Sequence, residues 1–288
     1  MKISRIQKVF MVFLGLITGF MLCFDTALYR AFFVNPNHFD VRYQTLSDPS
    51  IPDSMNQVSI VYLTDLEYDL SVPKEQMEEL FAKIRDLNPD VMLIGGDLFA
   101  SSADLNDQVR ADMAGWLTSV PAPMGKFAVY GEQDLASEQH RLIVDDVYHQ
   151  GQVELINNRT VLISSQSAAG IRLGGLGIES DPGALAGAFI PEQFNLLLSH
   201  WPDHVLEASQ STPLNVSYVL CGNSHGTQIN WPVFGGYKRF TGSEQIDRND
   251  MNKLPYKGYI STGVGTIDVR ARLNSPAEII YLTLTNGK

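Results

Sequence analysis

Cysteine is almost absent: the 288 residues hold two, Cys23 and Cys221, and no CxxC pair. A disulfide framework and a cysteine-rich zinc site are thereby excluded, so any metal must be held by Asp, Glu, His, Asn or water. Positive charge is also short. Lys and Arg number 21 against 32 Asp and Glu, a formal charge of −11, which is the wrong sign for a protein held to nucleic acid by phosphate neutralisation. No Walker loop occurs and no G-x-G-x-x-G opens a helix, so the nucleotide-binding folds lack their phosphate cradle. Charged residues make up 18% of the chain and hydrophobic ones 44%, far from the disordered regime. The length suits one large domain or two small ones, and no internal repeat or low-complexity tract interrupts it.

What is present begins with an uncharged run. Residues 9–24, VFMVFLGLITGFMLCF, follow Lys2, Arg5 and Lys8. As a helix this run spans about 24 Å, short of the roughly 30 Å of bilayer hydrocarbon. Ala27, Leu28, Tyr29, Phe32 and Phe33 extend it as an interfacial belt. The run is expected to be a transmembrane signal anchor over 9–24 with a flank to about residue 34. A cleaved signal peptide is the rival reading, although no A-x-A site follows the run. The basic residues put 1–8 in the cytoplasm and the C-terminal domain outside it, as a single-pass protein of the cell membrane. Residues 35–56, with Pro36, Pro49 and Pro52, read as a linker and edge strand, and the main domain as 57–288.

From Gln57 short apolar runs alternate with amphipathic stretches, the pattern of an α/β protein whose layered sheet is covered by helices. VSIVYLTD, DVMLIGGD, KFAVYGEQD, FNLLLSH and VSYVLCGNSH are expected strands, with further strands at VELINN, TVLISS, IRLGGLGI, KGYISTGVG and EIIYLTLT. Met77, Leu80, Phe81, Ile84 and Leu87 recur at helical spacing in KEQMEELFAKIRDLN, and QVRADMAGWLTSV and EQHRLIVDDVYHQ follow suit.

Each of the first five runs ends in residues able to bind metal: Asp65 with Glu67, Asp97, Glu132, His200, and Asn223 with His225. Alone, an Asp after a strand is usually a turn former or helix cap, and a lone His usually structural. Five such endings change the balance, because ligands in open α/β sheets bind outside the carboxyl ends of the strands.

These motifs resemble those of the calcineurin-like metallophosphoesterases, over a stretch from about Gln57 to the C-terminus. That family carries D-x-H, G-D, G-N-H-[DE], a lone His and G-H-x-H around two metals. Here stand Asp65-Leu66-Glu67, Gly96-Asp97, Gly131-Glu132-Gln133-Asp134, His200 and Gly222-Asn223-Ser224-His225. The tail KGYISTGVGT with Arg272 is similar to the membrane-anchored phosphodiesterase branch, which includes UDP-diacylglucosamine pyrophosphatases. The resemblance implies a β-sheet sandwich flanked by helices and two divalent ions. One would be held by Asp65, Glu67, Asp97 and His225, the other by Asp97, Glu132, His200 and Asn223. It implies a phosphorylated small molecule or a lipid-linked phosphoester as substrate, with a bridging water as nucleophile and the bilayer as the partner of the N-terminal helix.

The departures are specific. Glu67 and Asn223 replace two metal-binding His residues, Glu132 replaces an Asn ligand, and Gln133 stands where the family has its catalytic His. Every ligand position keeps a donor atom, so the site reads as altered towards oxygen, which favours manganese, magnesium or calcium over zinc. Two Asp carboxylates against two divalent cations leave about +2, whereas four carboxylates leave a formally neutral centre that polarises a phosphoryl group less. Gln133 cannot donate a proton at neutral pH, and loss of acid catalysis costs about 10²- to 10⁴-fold. A weakened phosphoesterase and a non-catalytic metal- or phosphate-binding relative are both open.

GNSHG also fits the G-x-S-x-G nucleophile elbow, but that triad requires a His downstream of Ser224, and only its neighbour His225 qualifies. His140, His149 and His204 read as surface residues of helices. The polar stretch at 235–258 reads as a loop that is either solvated or turned to substrate. A reporter fused after residue 35 is expected to be active only outside the cytoplasm; activity confined to the cytoplasm would overturn the orientation.

Overall fold

Residues 4–69, 71–165 and 167–287 are described in this computed structural model, so Lys2 of the basic cluster lies outside the described residues. Helix α1 (Arg5–Tyr29) opens on a capping box: the Ser4 hydroxyl accepts from the Gln7 amide, and the Gln7 side chain accepts from the Ser4 N–H. The helix continues through a π turn at Arg30–Val34 and a 3₁₀ turn to Asn37. It is long and apolar enough to cross a membrane, and its side chains up to Thr26 are exposed. It meets the body from about Phe24 onward. Ala31 O accepts from Arg272 N–H at 2.8 Å, Asn35 Nδ2 donates to Arg272 O at 2.8 Å, and Pro36 O accepts from Gln76 Nε2 at 2.7 Å.

Among the described residues, two large sheets form the body, beside one two-stranded hairpin. Strand β1 (Phe39–Ser47), from the stretch read as linker and edge strand, pairs in parallel with the C-terminal strand Ala277–Thr285. That strand runs antiparallel to β2 (Ser59–Leu63), after which β3 (Val91–Ile94), β4 (Lys126–Ala128) and β5 (Glu154–Leu155) follow in parallel. Parallel neighbours need long crossovers, supplied by α2 (Lys74–Leu87), α3 (Asp107–Ser119) and α4 (Glu138–Gln150). The second sheet runs from β6 (Arg159–Ser164) through β7 (Gly170–Leu176), β8 (Asn195–Ser199) and β9 (Tyr218–Cys221) to the strand Gly258–Ile260. Two short helices, α5 (Gly183–Ala186) and α6 (Pro202–Ser211), cover its outer face.

Period-2 alternation assigns each side chain to a layer. In β2, Val61 and Leu63 face α2 to α4, whereas Ile60 and Tyr62 face the second sheet; in β3, Met92 and Ile94 divide from Val91 and Leu93 in the same way. In β8, Leu196 and Leu198 turn to the first sheet and Leu197 to α6. The result is a helix–sheet–sheet–helix sandwich. Met77, Leu80, Phe81 and Ile84 of α2 are fully buried at i, i+3, i+4 and i+7, each worth about 1.5–3 kcal/mol.

Helix α6 carries His204, one of the three histidines expected to lie on helices. Pro202 at its first turn suits a position whose N–H would be unpaired anyway. Its buried neighbour Asp203 accepts from the backbone N–H groups of Glu244, Gln245 and Ile246 at 2.8–3.2 Å, pinning the loop behind the strand ends. His140, read as a surface residue, is buried at 7% exposure, because its face of α4 turns to the core, and His204 is half-buried against Trp201; His149 is exposed. Asp203→Ala orphans three amides and should cost about 2–4 kcal/mol of unfolding free energy. Asp203→Asn should retain part of it, as read by denaturant unfolding.

Candidate metal centre

Every residue singled out at a strand end lies on one rim, where the carboxyl ends of β2, β3, β4, β8 and β9 meet. Five of these residues have left-handed backbone: Asp65 (φ 52°), Glu67 (50°), Asp97 (55°), Asn223 (63°) and His225 (45°). Asp, Asn and His are the side chains most often found in that region, whereas Glu occupies it less readily, at a cost of order 1 kcal/mol or more. The turn swings each side chain back over the sheet ends. Close approach fixes the glycines beside them: a Cβ on Gly131 would lie 2.0 Å from Asp97 Oδ1, and one on Gly96, at φ 100°, 2.4 Å from Gly131 N.

Asp65, Asp97 and His200 are fully buried, and one donor atom of each lies within 4.8 Å of the others, a group fit to hold a metal ion. His200 Nδ1 sits 2.6 Å from the Gly95 carbonyl, which only accepts, so Nδ1 carries a proton and Nε2 faces the centre. Nε2 lies 3.0 Å from Glu132 Oε2, 3.3 Å from Asp97 Oδ2 and 3.9 Å from Asp65 Oδ1, yet is aligned for a hydrogen bond with none of them. His225 Nε2 is 3.5 Å from Asp65 Oδ1 and also unbonded. Asn223 donates through its side chain to Thr241 O (2.7 Å) and Ser243 Oγ (2.8 Å), leaving its buried Oδ1 without a partner.

Glu67 Oε1, Asp97 Oδ2 and His225 Nδ1 complete the set: six buried nitrogen and oxygen atoms on five of the expected ligands make no hydrogen bond. Buried polar atoms are nearly always partnered. Such a cluster fits cations better than it fits a purely structural network.

The electrostatics agree. Burial first, then Asp97, Asp65 and Glu132, lifts the Glu67 carboxyl well above its usual range, and Asp97 is raised chiefly by burial. Burial lowers His200, but Asp97 and Glu132 outweigh it and hold the imidazole protonated, so ligation at Nε2 requires that proton to leave. His225 is pushed down to about 4 by burial and stays neutral, as a ligand must.

Three residues support the centre in roles that the motifs alone do not assign. Asp134, fully buried, accepts from the N–H groups of Asp97, Leu98 and Gly131 at 2.9 Å each, so it locks the β3 and β4 ends together. Trp201 Nε1 donates to Glu132 Oε2 at 2.8 Å. Arg272, fully buried, gives its guanidinium to the carbonyls of Thr262, Gly263, Gly265 and Ser275, in the loop whose amides at 264 and 265 bond the Asp65 strand end. Burial lowers it to about 10, so it remains a cation at neutral pH and offsets part of the acidic rim. No sequence period marks these roles, since each residue acts on backbone or on a single partner.

Gln133 is half-buried at the rim; its N–H donates to Asp97 Oδ1 (2.8 Å) and its Oε1 accepts from Ser101 N–H (3.1 Å). A cleft of about 600 Å³ opens beside it, walled by Glu67, Ser101, Thr266, Asp268 and Arg270 among others. Ser224 is buried at 1% exposure and its hydroxyl accepts from Gly226 N–H, so it presents no nucleophile. The loop over 235–258 is mixed: Lys238 and Arg239 are exposed, whereas Phe240 packs 5.2 Å from the His225 ring and Ser243 is fully buried under Asn223.

No family model matches the chain. It is 26% identical over 280 residues to an uncharacterised metallophosphoesterase, YkoQ of Bacillus subtilis, covering 91% of this chain and 96% of that one. It is 28% identical over 242 residues to the phosphodiesterase YaeI of Escherichia coli, covering 81% and 84%. A transmembrane protein with a metallophosphoesterase domain from Bos taurus is 26% identical over 261 residues, 81% of this chain and 54% of that one.

A carboxyl whose folded-state pKa lies above its unfolded value stabilises the fold while protonated, and that contribution is lost as pH rises through the raised value. Glu67 and Asp97, both raised above 4.5 and 3.8, should therefore make metal-free protein lose stability from acid towards neutral pH. The expected outcome is a melting-temperature gap between metal-loaded and chelated protein that widens with pH. Coincident melting at neutral pH, with no metal on elemental analysis, would sink the centre.

Proposed function

We propose that this chain, a member of the calcineurin-like metallophosphoesterase superfamily, is a membrane-anchored, metal-dependent hydrolase of a phosphodiester or pyrophosphate bond, slowed by its substituted motif residues. The observation that carries the reading is the set of unpartnered buried donors on Glu67, Asp97, His200, Asn223 and His225 around Asp65. Asp65, Glu67, Asp97 and His225 would hold one divalent ion, and Asp97, Glu132, His200 and Asn223 a second. The carboxylate-rich set favours manganese, magnesium or calcium over zinc. Bound there, such ions polarise phosphoryl oxygens and lower the pKa of a water molecule.

The chain's own residues do the rest. Trp201 holds the Glu132 carboxylate towards His200, and Asp134 keeps the Asp97 turn rigid. With its Oε1 taken by Ser101, Gln133 offers the leaving oxygen its amide N–H groups, which steady charge but transfer no proton. Arg270 brings a cation to the cleft wall, where a phosphoryl oxygen would lie. The apolar helix and the relative with a transmembrane region support an anchor in the cell membrane, and the basic residues before it support an extracytoplasmic body.

A second reading is a non-catalytic metal- or phosphate-binding relative, favoured by the absence of an imidazole at 133. One substitution separates the two. Gln133→His should raise phosphodiesterase turnover with manganese by at least about tenfold, part of the 10² to 10⁴ that acid catalysis supplies. Glu132→Asn, which removes one negative charge, should raise it further. His200→Ala and His225→Ala in that background should abolish the gain. A double variant that binds metal normally and hydrolyses nothing would hand the case to the non-catalytic reading.

A further inference from the structure

The segment after the last rim residues forms a small hairpin, β10 (Asn230–Trp231) and β11 (Gly235–Gly236). Its tip carries Val233 and Phe234 at 85% and 88% exposure, followed by Tyr237 at 56%. No residue from Ile229 to Tyr237 is charged. Water-facing tips of this kind are normally polar, so two large apolar side chains at the extremity need a covering partner.

The hairpin lies beside the apolar helix. Trp231 stacks on Phe24, with ring centroids 5.7 Å apart. Phe24 shares a helix face with Ala27, Leu28 and Ala31, the face turned to the body. Starting at Val9, about 20 helical residues are needed to cross the hydrocarbon, so its far boundary falls within about one turn of Phe24. Trp231 therefore sits at the depth where Trp and Tyr gather in membrane proteins. A soluble partner approaching the tip would have to lie in the plane that the exposed helix requires for lipid.

The hairpin is also joined to the cleft. Gln228, fully buried at its base, donates to the carbonyls of Ile267 and Val269 and accepts from Ile267 N–H, and Ile229 bridges to Leu273. Thr266 to Arg270 form one wall of the cleft beside Glu67 and Gln133. From that wall Arg270 reaches Asn37 at the end of the helical run (2.6 Å), and Arg272 N–H bonds Ala31 O. Helix end, hairpin base and cleft wall are one hydrogen-bonded unit.

We infer that the β10–β11 hairpin inserts its Val233–Phe234 tip into the outer part of the bilayer that holds the helix, and so fixes the mouth of the cleft at headgroup level. This rests on reading the helix as a membrane anchor. It deepens the functional reading, because a cleft held there takes its phosphoester from a lipid headgroup or a lipid-linked carrier rather than from bulk solution. With no charge between Ile229 and Tyr237, the contact is made by apolar side chains.

The test uses the full chain in vesicles of phosphatidylcholine and phosphatidylglycerol, with an environment-sensitive fluorophore at one cysteine. Three proteins are compared: the native chain labelled at exposed Cys23, Val233→Cys in a Cys23→Ser background, and Leu142→Cys in that background as the solvent-exposed control on α4. The label at 233 should be blue-shifted, quenched by a nitroxide at the lipid headgroup, and protected severalfold from aqueous iodide relative to 142. If 233 is as open to iodide as 142 while 23 is quenched by lipid nitroxide, the anchor stands and the hairpin inference falls. Protection from iodide without nitroxide quenching means that protein covers the tip, such as a second copy, and also overturns it. If 23 itself is untouched by lipid quenchers, the anchor reading fails and takes this inference with it.

Discussion

Four carboxylates crowded at one buried rim are the constraint on which the rest of this molecule depends. Asp65, Glu67 and Asp97 are almost wholly shielded from water and Glu132 largely so, with an oxygen of Asp65 and one of Asp97 within 4.8 Å of each other, so like charges are crowded. The fold answers in three ways. His200 stands among the acids as a cation, Arg272 supplies a buried positive charge behind Asp65, and backbone amides solvate individual oxygens. None of these saturates the rim, and the donors left over define the centre.

Holding the acids together also dictates the backbone around them. The left-handed residues and the tight glycines occur where strands of two different sheets must deliver side chains to one point. Strain at these positions persists because neighbours over-determine it: Asp134 clamps one side of the rim, and Asp203 holds the loop under the other. The apolar layers can be read as the counterweight, since β2, β3 and β8 are buried on both faces immediately before the turns.

Much of this was legible in the sequence, for a physical reason. Doubly buried strands read as uninterrupted apolar runs, so the polar residue that ends each one stands out, and Asp65, Asp97, Glu132, His200 and Asn223 were found that way. Helices α2 to α4 were legible through their 3.6-residue stripes. What stayed hidden acts across long sequence distances on groups common to all residues: Asp134 and Asp203 on amides, Arg272 on carbonyls. The burial of His140 stayed hidden because a single polar residue on a helix face carries no period. The docking of the N-terminal helix on the loop at 267–273 had no local sign either, since it is made through Ala31 O and the Asn35 and Asn37 side chains.

Asn223 sets a bound on how much negative charge this rim can hold. Its amide nitrogen spends both protons on a carbonyl and a hydroxyl beneath the rim, and only its oxygen points inward. An aspartate there would turn an oxygen lone pair against the Thr241 carbonyl and add a fifth acid to the cluster. A histidine would bring its imidazole into a floor shaped for a carboxamide. Position 223 therefore accepts a neutral oxygen, and further acidification of the rim would have to be compensated elsewhere.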